Sequence, residues 1–216
     1  MMKIVKEGLW VLIPSTLLPI FLIWWTRQPW YAFAFIFSAI MIFFFRDPSR
    51  KPPTNPNLVL APADGTINGI DHTYDDLTLF IELHVVNCHL QRTPMAGKVT
   101  KITRTAGKHR RIHLFSPRLA YERKKVRCAT ENAKNEIEIE LENSKKMWLT
   151  QIVGFFARRL KSYVNVGEII SAGQKVGLIY FGSMVKLQVQ GEFELKVQKG
   201  SKVKAGETVI AIQKNA

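Results

Sequence analysis

Few residues in this chain have the types and spacing to do chemistry. Its five histidines are His72, His84, His89, His109 and His113, and its two cysteines are Cys88 and Cys128. On one strand, His84 and His89 would point to opposite faces and could not share a metal without a bend. No H-E-x-x-H motif and no Cys/His cluster occurs, so no metal site is expected. There is no G-x-S-x-G elbow and no Walker phosphate loop. What remains is Phe181-Gly182-Ser183, followed by the strand-like MVKLQVQ, with Ala61-Pro62-Ala63-Asp64-Gly65 and His89 upstream. Taken singly, the Gly-Ser and Asp-Gly pairs are turns. An isolated histidine is more often structural or solvated than catalytic, so these residues need a scaffold that groups them.

The scaffold has two kinds of material. The 216 residues are 47% hydrophobic, yet the formal net charge is +14. That much apolar content excludes a disordered basic tail. Two cysteines cannot make a disulfide scaffold of this length, and 22% charged residues is too many for a polytopic membrane protein. The apolar residues concentrate in two uncharged runs, Gly8 to Trp25 and Trp30 to Phe45. Each is close to the roughly 20 residues a helix needs to cross a bilayer. Trp24-Trp25 and Trp30-Tyr31 flank the break between them, as an interfacial aromatic belt would. A second run where a signal peptide would have its cleavage site argues for an anchoring helical hairpin over 1–45. Lys3 and Lys6 precede the hairpin and Arg46, Arg50 and Lys51 follow it, against Arg27 alone in the connector. This places both ends in the cytoplasm, where Cys88 and Cys128 stay reduced.

After a Pro-rich linker, 46–57, residues 58–216 form a domain of ordinary size. Ten Lys and Arg residues and a single acid, Glu122, lie between Lys101 and Arg127. Only Phe115 and Tyr121 are available there to stack on bases, so nucleic acid is not the expected partner. An anionic lipid surface accounts for both the basic stretch and the anchor, at about 1 kcal/mol per well-placed Lys or Arg. Alternation at Leu77 to Val86, Glu136 to Leu141 and Glu192 to Val197 predicts strands. A repeat, V-x-x-G-x-x-[IV]-x-A-G-x-x-V, occurs at Val164 to Gly177 and again at Val197 to Ile210. Two copies are too few for a solenoid. They predict paired hairpin corners in a mainly β barrel-sandwich that resembles the lipoyl/biotinyl type.

The ordered set of P-A-D-G, H-x-x-R-x-P-x-x-G-K-V at His89, Q-I-x-G at Gln151, F-G-S and the closing K-V-x-A-G-E-T-V-I-A resembles the phosphatidylserine decarboxylases. The likeness is to their short, hairpin-anchored form and covers essentially the whole chain. It implies a proenzyme in which Ser183 attacks the Gly182 carbonyl and shifts the amide to an ester. Elimination then cuts the chain, and the new end of the smaller piece becomes a covalent pyruvoyl group. The 1–182 and 183–216 chains would stay associated. A serine is a weak nucleophile without a base and an accessible carbonyl, and Gly182 leaves that carbonyl unobstructed. The mature enzyme would decarboxylate phosphatidylserine at the cytoplasmic face of the cell membrane, with the pyruvoyl carbonyl as electron sink.

Residue by residue, the resemblance gives Asp64 the activation of Ser183 through a histidine, and His89 the general acid/base duty. Arg92, where longer members have a second histidine, is a candidate ligand for the lipid phosphate or carboxylate. Three departures stand out. Asn87 replaces a common aspartate, Asn132-Ala133-Lys134-Asn135 replaces N-E-R-N, and Met184 follows the serine where arginine is frequent. The base for self-cleavage, the diacyl or isoprenoid-ether nature of the lipid and assembly as a homo-oligomer stay open at this level. So do two alternatives. One is a non-catalytic barrel-sandwich that binds acidic lipid; the other is a lysostaphin-type zinc endopeptidase, for which MVKLQVQ lacks the required H-x-H.

Overall fold

The computed structural model describes residues 3–84, 86–110, 127–142, 144–154, 159–180 and 183–214, with the backbone alone at Ser183. Phe181 and Gly182, and the basic stretch from Arg111 to Val126, lie outside these residues. The described chain forms two compact units that divide between Ser49 and Arg50.

The first unit is a short antiparallel ribbon closing a pair of helices. Strand β1 (Lys3–Ile4) leads into α1 (Lys6–Thr26), a 3-10 segment at Pro29–Phe33, α2 (Ala34–Phe44) and β2 (Arg46–Asp47). Lys3 pairs with Asp47 and Ile4 with Arg46. At 1.5 Å per residue α1 is about 31 Å long, the thickness of a hydrocarbon core, whereas α2 reaches only about 16 Å. The second apolar run therefore does not continue as one α-helix. Its first turns are 3-10, opened by Pro29. Among the described helices, α1 alone is long and apolar enough to cross a membrane. Its Trp10, Leu17, Leu18, Trp24 and Trp25 are exposed, as are Ile36, Phe37 and Ile40 of α2. A helix apolar all round belongs in lipid or a large core.

Pro19 cannot donate to the carbonyl four residues earlier, that of Ser15. Ser38 of α2 fills the vacancy: its hydroxyl donates to the Ser15 carbonyl at 2.8 Å and lies 3.1 Å from the Ser15 hydroxyl. In an apolar medium an unmet carbonyl is costly. Ser38→Ala is expected to weaken helix pairing by about 0.6–2 kcal/mol, read by denaturing-detergent titration of the full-length chain; no shift would show that the carbonyl is satisfied otherwise.

The second unit is β-structure. In chain order its strands are β3 (Leu58–Leu60), β4 (Gly65–His72), β5 (Asp76–Leu83), β6 (Leu90–Arg92), β7 (Gly97–Thr105), β8 (Lys134–Glu140), β9 (Lys146–Val153) and β10 (Leu160–Ser162). They continue as β11 (Ile169–Ile170), β12 (Lys175–Ile179), β13 (Ser183–Gln190), β14 (Phe193–Leu195), β15 (Lys202–Val203) and β16 (Val209–Gln213). Eight form an antiparallel sheet in the order β11-β7-β8-β9-β13-β5-β4-β15, which curls into a half-barrel. Two three-stranded sheets, β10-β12-β6 and β14-β16-β3, complete the unit. Alternation works as the sequence suggests: Ile137 and Ile139 of β8 and Val185, Leu187 and Val189 of β13 are buried in one core with Leu77, Leu79 and Ile81 of β5. Strand β5 stops at Leu83, earlier than Val86. The Asn87 side chain accepts from the His84 N–H, and the Asn87 N–H donates back to the His84 carbonyl, each at 2.8 Å, closing a turn there. The strand expected over 192–197 is confined to Phe193–Leu195.

The repeated corners meet across a local two-fold arrangement. Gly173 and Gly206 have φ of 75° and 71°, a region that favours glycine. The Gly206 N–H donates to the Ala61 carbonyl and the Gly173 N–H to the Thr93 carbonyl, both at 2.8 Å. Between them, the Leu60 N–H donates to Pro94 and the Arg92 N–H to Pro62. The P-A-D-G segment and the R-T-P segment after β6 therefore occupy equivalent places, which is why each precedes a long strand of the half-barrel.

Candidate active site

Ser183 is the first residue of β13. It pairs with Leu83 of β5 on one side and Val153 of β9 on the other, at the end of a central strand. Four residues earlier, Ile179 ends β12 in a different sheet. The chain thus passes from one sheet to another between Ile179 and Ser183, and Gly182 falls within this passage.

His89 is brought to that passage. The Ile179 N–H donates to the His89 carbonyl at 3.1 Å, and the turn that leads to His89 begins directly after Leu83, the partner of Ser183. The His89 side chain is fully buried. Its Nδ1 lies 2.9 Å from the Asn87 carbonyl. A carbonyl oxygen only accepts, so the neutral ring carries its proton on Nδ1 and presents Nε2 as the basic nitrogen. Asn87 therefore serves twice, its side chain as turn cap and its backbone carbonyl as orienting acceptor.

Asp64 lies at the same end of the sheet but is otherwise engaged. Thr66 of β4, Glu82 of β5 and Met184 of β13 stand in one line across the strands. This puts the start of β4 about 10 Å from β13. The Asp64 carboxylate receives Arg50 through Nη2 at 2.8 and 3.1 Å, and the Ala205 N–H at 2.8 Å. Arg50 also holds Glu207 at 3.0 Å. Burial works against the guanidinium charge, but Asp64 and Glu207 outweigh it and raise the Arg50 pKa. Gly65 follows because the β5 backbone is too close for a side chain: a Cβ there would lie 2.2 Å from the Glu82 carbonyl oxygen. Arg50→Ala should leave the buried Asp64 charge without its ion-pair partner and cost about 3–5 kcal/mol, measured by urea unfolding. A loss below about 1 kcal/mol, the value of a surface pair, would contradict this.

Arg92 is buried, and its Nη1 donates to the Gly173 carbonyl at 2.9 Å, so it braces one repeat corner.

The residues that stood out in the sequence as departures, or beside them, lie on or next to the serine strand. Asn132 is buried, accepts from the Arg110 N–H at 3.1 Å and donates to the Arg110 and Val153 carbonyls at 3.0 and 2.8 Å. It thereby ties the strand end beside Ser183 to the basic segment. Ala133 acts through its backbone, with its N–H on the Lys108 carbonyl and its carbonyl under the Val153 N–H. The change from N-E-R-N thus leaves the two asparagines in working positions. Met184 is buried with Cys128 and Ile152, an apolar setting that suits it better than a charge. The only signal for Asn132 and Asn135 was the N-x-x-N element itself.

On the same flank, Glu131 gathers Lys108 at 3.1 Å, and Arg110 and Arg127 at 2.8 Å each. The Arg127 and Lys108 hydrogen bonds lead in lowering its pKa to about 2 from an ordinary 4.5. A depressed carboxylate contributes stability above its unfolded pKa and loses it as pH falls toward the folded one. The difference in melting temperature between wild type and Glu131→Gln should therefore shrink from pH 4.5 down to about 2; a constant difference would exclude the ion cluster as its source.

Comparison with known proteins converges on one family. The profile described as Phosphatidylserine decarboxylase matches residues 37–211. A phosphatidylserine decarboxylase proenzyme from Burkholderia ambifaria is 35% identical, over 84% of this chain and 84% of its own length. One from Pelobacter propionicus is 32% identical over 83% and 81%. A chain from Methanosarcina mazei, provisionally named an archaetidylserine decarboxylase proenzyme, is 34% identical over 82% and 76%. The match takes in the P-A-D-G segment, the His89 turn and the start of β13 together, and on that extent and identity the chain belongs to the phosphatidylserine decarboxylase family.

Proposed function

We propose that the chain is a proenzyme that cuts itself between Gly182 and Ser183 and then decarboxylates phosphatidylserine or its archaeal ether-lipid counterpart. The observation that carries this reading is the place of Ser183, first in a central strand and directly after the crossing between sheets. Cutting there frees an end while the backbone pairs of β13 from Met184 onward are kept. The 183–216 piece contains β13 to β16, so it stays bound to the remainder through the strands on either side.

In the cut, the Ser183 hydroxyl adds to the Gly182 carbonyl carbon and the C–N bond gives way to an ester. Loss of the Ser183 α-proton expels the Gly182 carboxylate. Water then replaces the nitrogen of the dehydroalanine end, which leaves as ammonia. The residues present fit the resulting pyruvoyl group, since the strand that carries it is paired on both sides from Met184 onward. That group supplies the electron sink for loss of carbon dioxide.

The chain's own residues do the rest. His89, oriented through Asn87, holds or releases a proton at Nε2 next to the crossing. The Asp64 carboxylate is held by Arg50 and the Ala205 N–H, fixing the P-A-D-G corner. To act on a histidine it must first exchange those partners. Arg92 supports the equivalent corner through Gly173. Helix α1 anchors the chain, with the cationic ends at Lys3, Lys6 and Arg46 on the cytoplasmic side. The basic residues held by Glu131 add attraction to anionic headgroups.

The test is to supply purified full-length protein with vesicles containing phosphatidylserine and follow release of carbon dioxide and the ethanolamine lipid. Turnover supports the reading. Binding of acidic vesicles by an uncut chain without turnover favours a non-catalytic lipid-binding module.

A further inference from the structure

A row of buried amides runs from the half-barrel to His89. The Asn135 Nδ2 of β8 donates to Gln151 Oε1 of β9 at 2.8 Å, Gln151 Nε2 donates to Gln91 Oε1 of β6 at 2.7 Å, and Gln91 Nε2 donates to the His89 carbonyl at 2.6 Å. All three side chains are fully buried. Every donor points the same way, so each bond polarises the next. The second Asn135 donor reaches Ser162 Oγ of β10 at 3.0 Å. Among the described residues, Asn135 Oδ1 is left buried without a partner. Gln151 also sits in register with Val185, two residues past Ser183. The amide of Gln151 fills the space above Gly177, where a Cβ would come within 2.5 Å of it.

A buried polar chain with one acceptor unmet is an expensive way to fill a core. An apolar trio of the same volume would hold the sheets together as well. What apolar side chains cannot do is fix one carbonyl in direction. The His89 carbonyl receives both this chain and the Ile179 N–H, which pins the backbone from which the imidazole projects.

We propose that Gln91, Gln151 and Asn135 are positioning residues that hold the His89 imidazole in its working orientation beside the crossing at Ser183. The proposal rests on His89 as the acid/base group, and its test separates the two ideas. The variant is Gln91→Met/Gln151→Met in the full-length chain, which removes both partners of the Gln151–Gln91 bond and leaves Asn135 Nδ2 its bond to Ser162 Oγ. Histidine nitrogen NMR of the uncut Ser183→Ala protein, with His89 assigned by loss of its signal in His89→Ala, reads the ring without any turnover. The single Nδ1–H form should give way to a tautomer mixture in the double variant. In protein that carries Ser183, kcat should fall roughly tenfold to a hundredfold, the scale of a misplacement near 1 Å, with KM within about twofold. Combined with His89→Ala, the double variant should cause no further loss.

An unchanged ring spectrum, or kcat restored to wild type in the folded double variant, overturns the proposal and leaves the amides a purely structural role. If His89→Ala alone turns over normally, the acid/base assignment fails, while the ring spectrum still decides whether the amides orient it. Should the double variant not fold, Gln91→Met alone cuts the last link and is judged by the same readings.

Discussion

Ser183→Ala is expected to yield a single uncut chain with no measurable decarboxylation. A methyl group cannot add to the Gly182 carbonyl, so neither the ester nor the new end forms. The substitution should spare the fold, because the pairing of residue 183 with Leu83 and Val153 is made by backbone groups that alanine retains. The core residues of β13, from Met184 and Val185 onward, are untouched. A melting temperature near that of the wild type, beside a complete loss of cleavage, is the combination that assigns the hydroxyl a chemical role. A cut chain in this variant would mean that another nucleophile, or an external protease, makes the break.

His89→Ala should separate the two stages of the reaction. Self-cleavage is expected to be retained at least in part, while turnover falls by about 10²–10⁴-fold, the usual contribution of a positioned acid or base. The histidine is fully buried and bound to the Asn87 carbonyl. Its removal therefore also leaves an acceptor without its donor, at about 1–3 kcal/mol. Turnover must then be expressed per cut and folded molecule, with the cut fraction read from intact mass. A wild-type rate on that basis would remove His89 from the chemistry. Loss of cleavage in a folded variant would assign it to self-cleavage.

Much of the frame was readable because it follows local rules. The Glu-Ile alternation of β8 gives an inward and an outward face, and the repeated A-G pairs mark equivalent corners that turn through glycines of positive φ. The apolar front reads as an anchor from length and composition. The division of its second half into 3-10 turns and an α2 from Ala34 to Phe44 was not readable in that way. The strand through His84 ends early because an asparagine side chain competes for the backbone, a choice that periodicity does not reveal.

The polar interior was the least legible part. Gln91, Gln151, Asn132 and Asn135 each read as a polar position on a strand or loop, and their meaning appears only when β6, β8 and β9 are side by side. The Arg50–Asp64 pair joins the linker to a turn, and Glu207 comes from the far end of the chain. Such contacts depend on register and topology, which spacing in one sequence does not encode. Ser183 itself was found through resemblance. Its place at the head of a central strand, with partners on both sides, is what the fold adds to that assignment.

The most direct measurement is the intact mass of the purified wild-type chain. Two species are predicted, ending at Gly182 and beginning at position 183, the smaller one lighter by one ammonia than a fragment beginning with serine and resistant to amino-terminal sequencing. A single uncut species, or a small fragment with a free serine amine, would contradict the self-processing account.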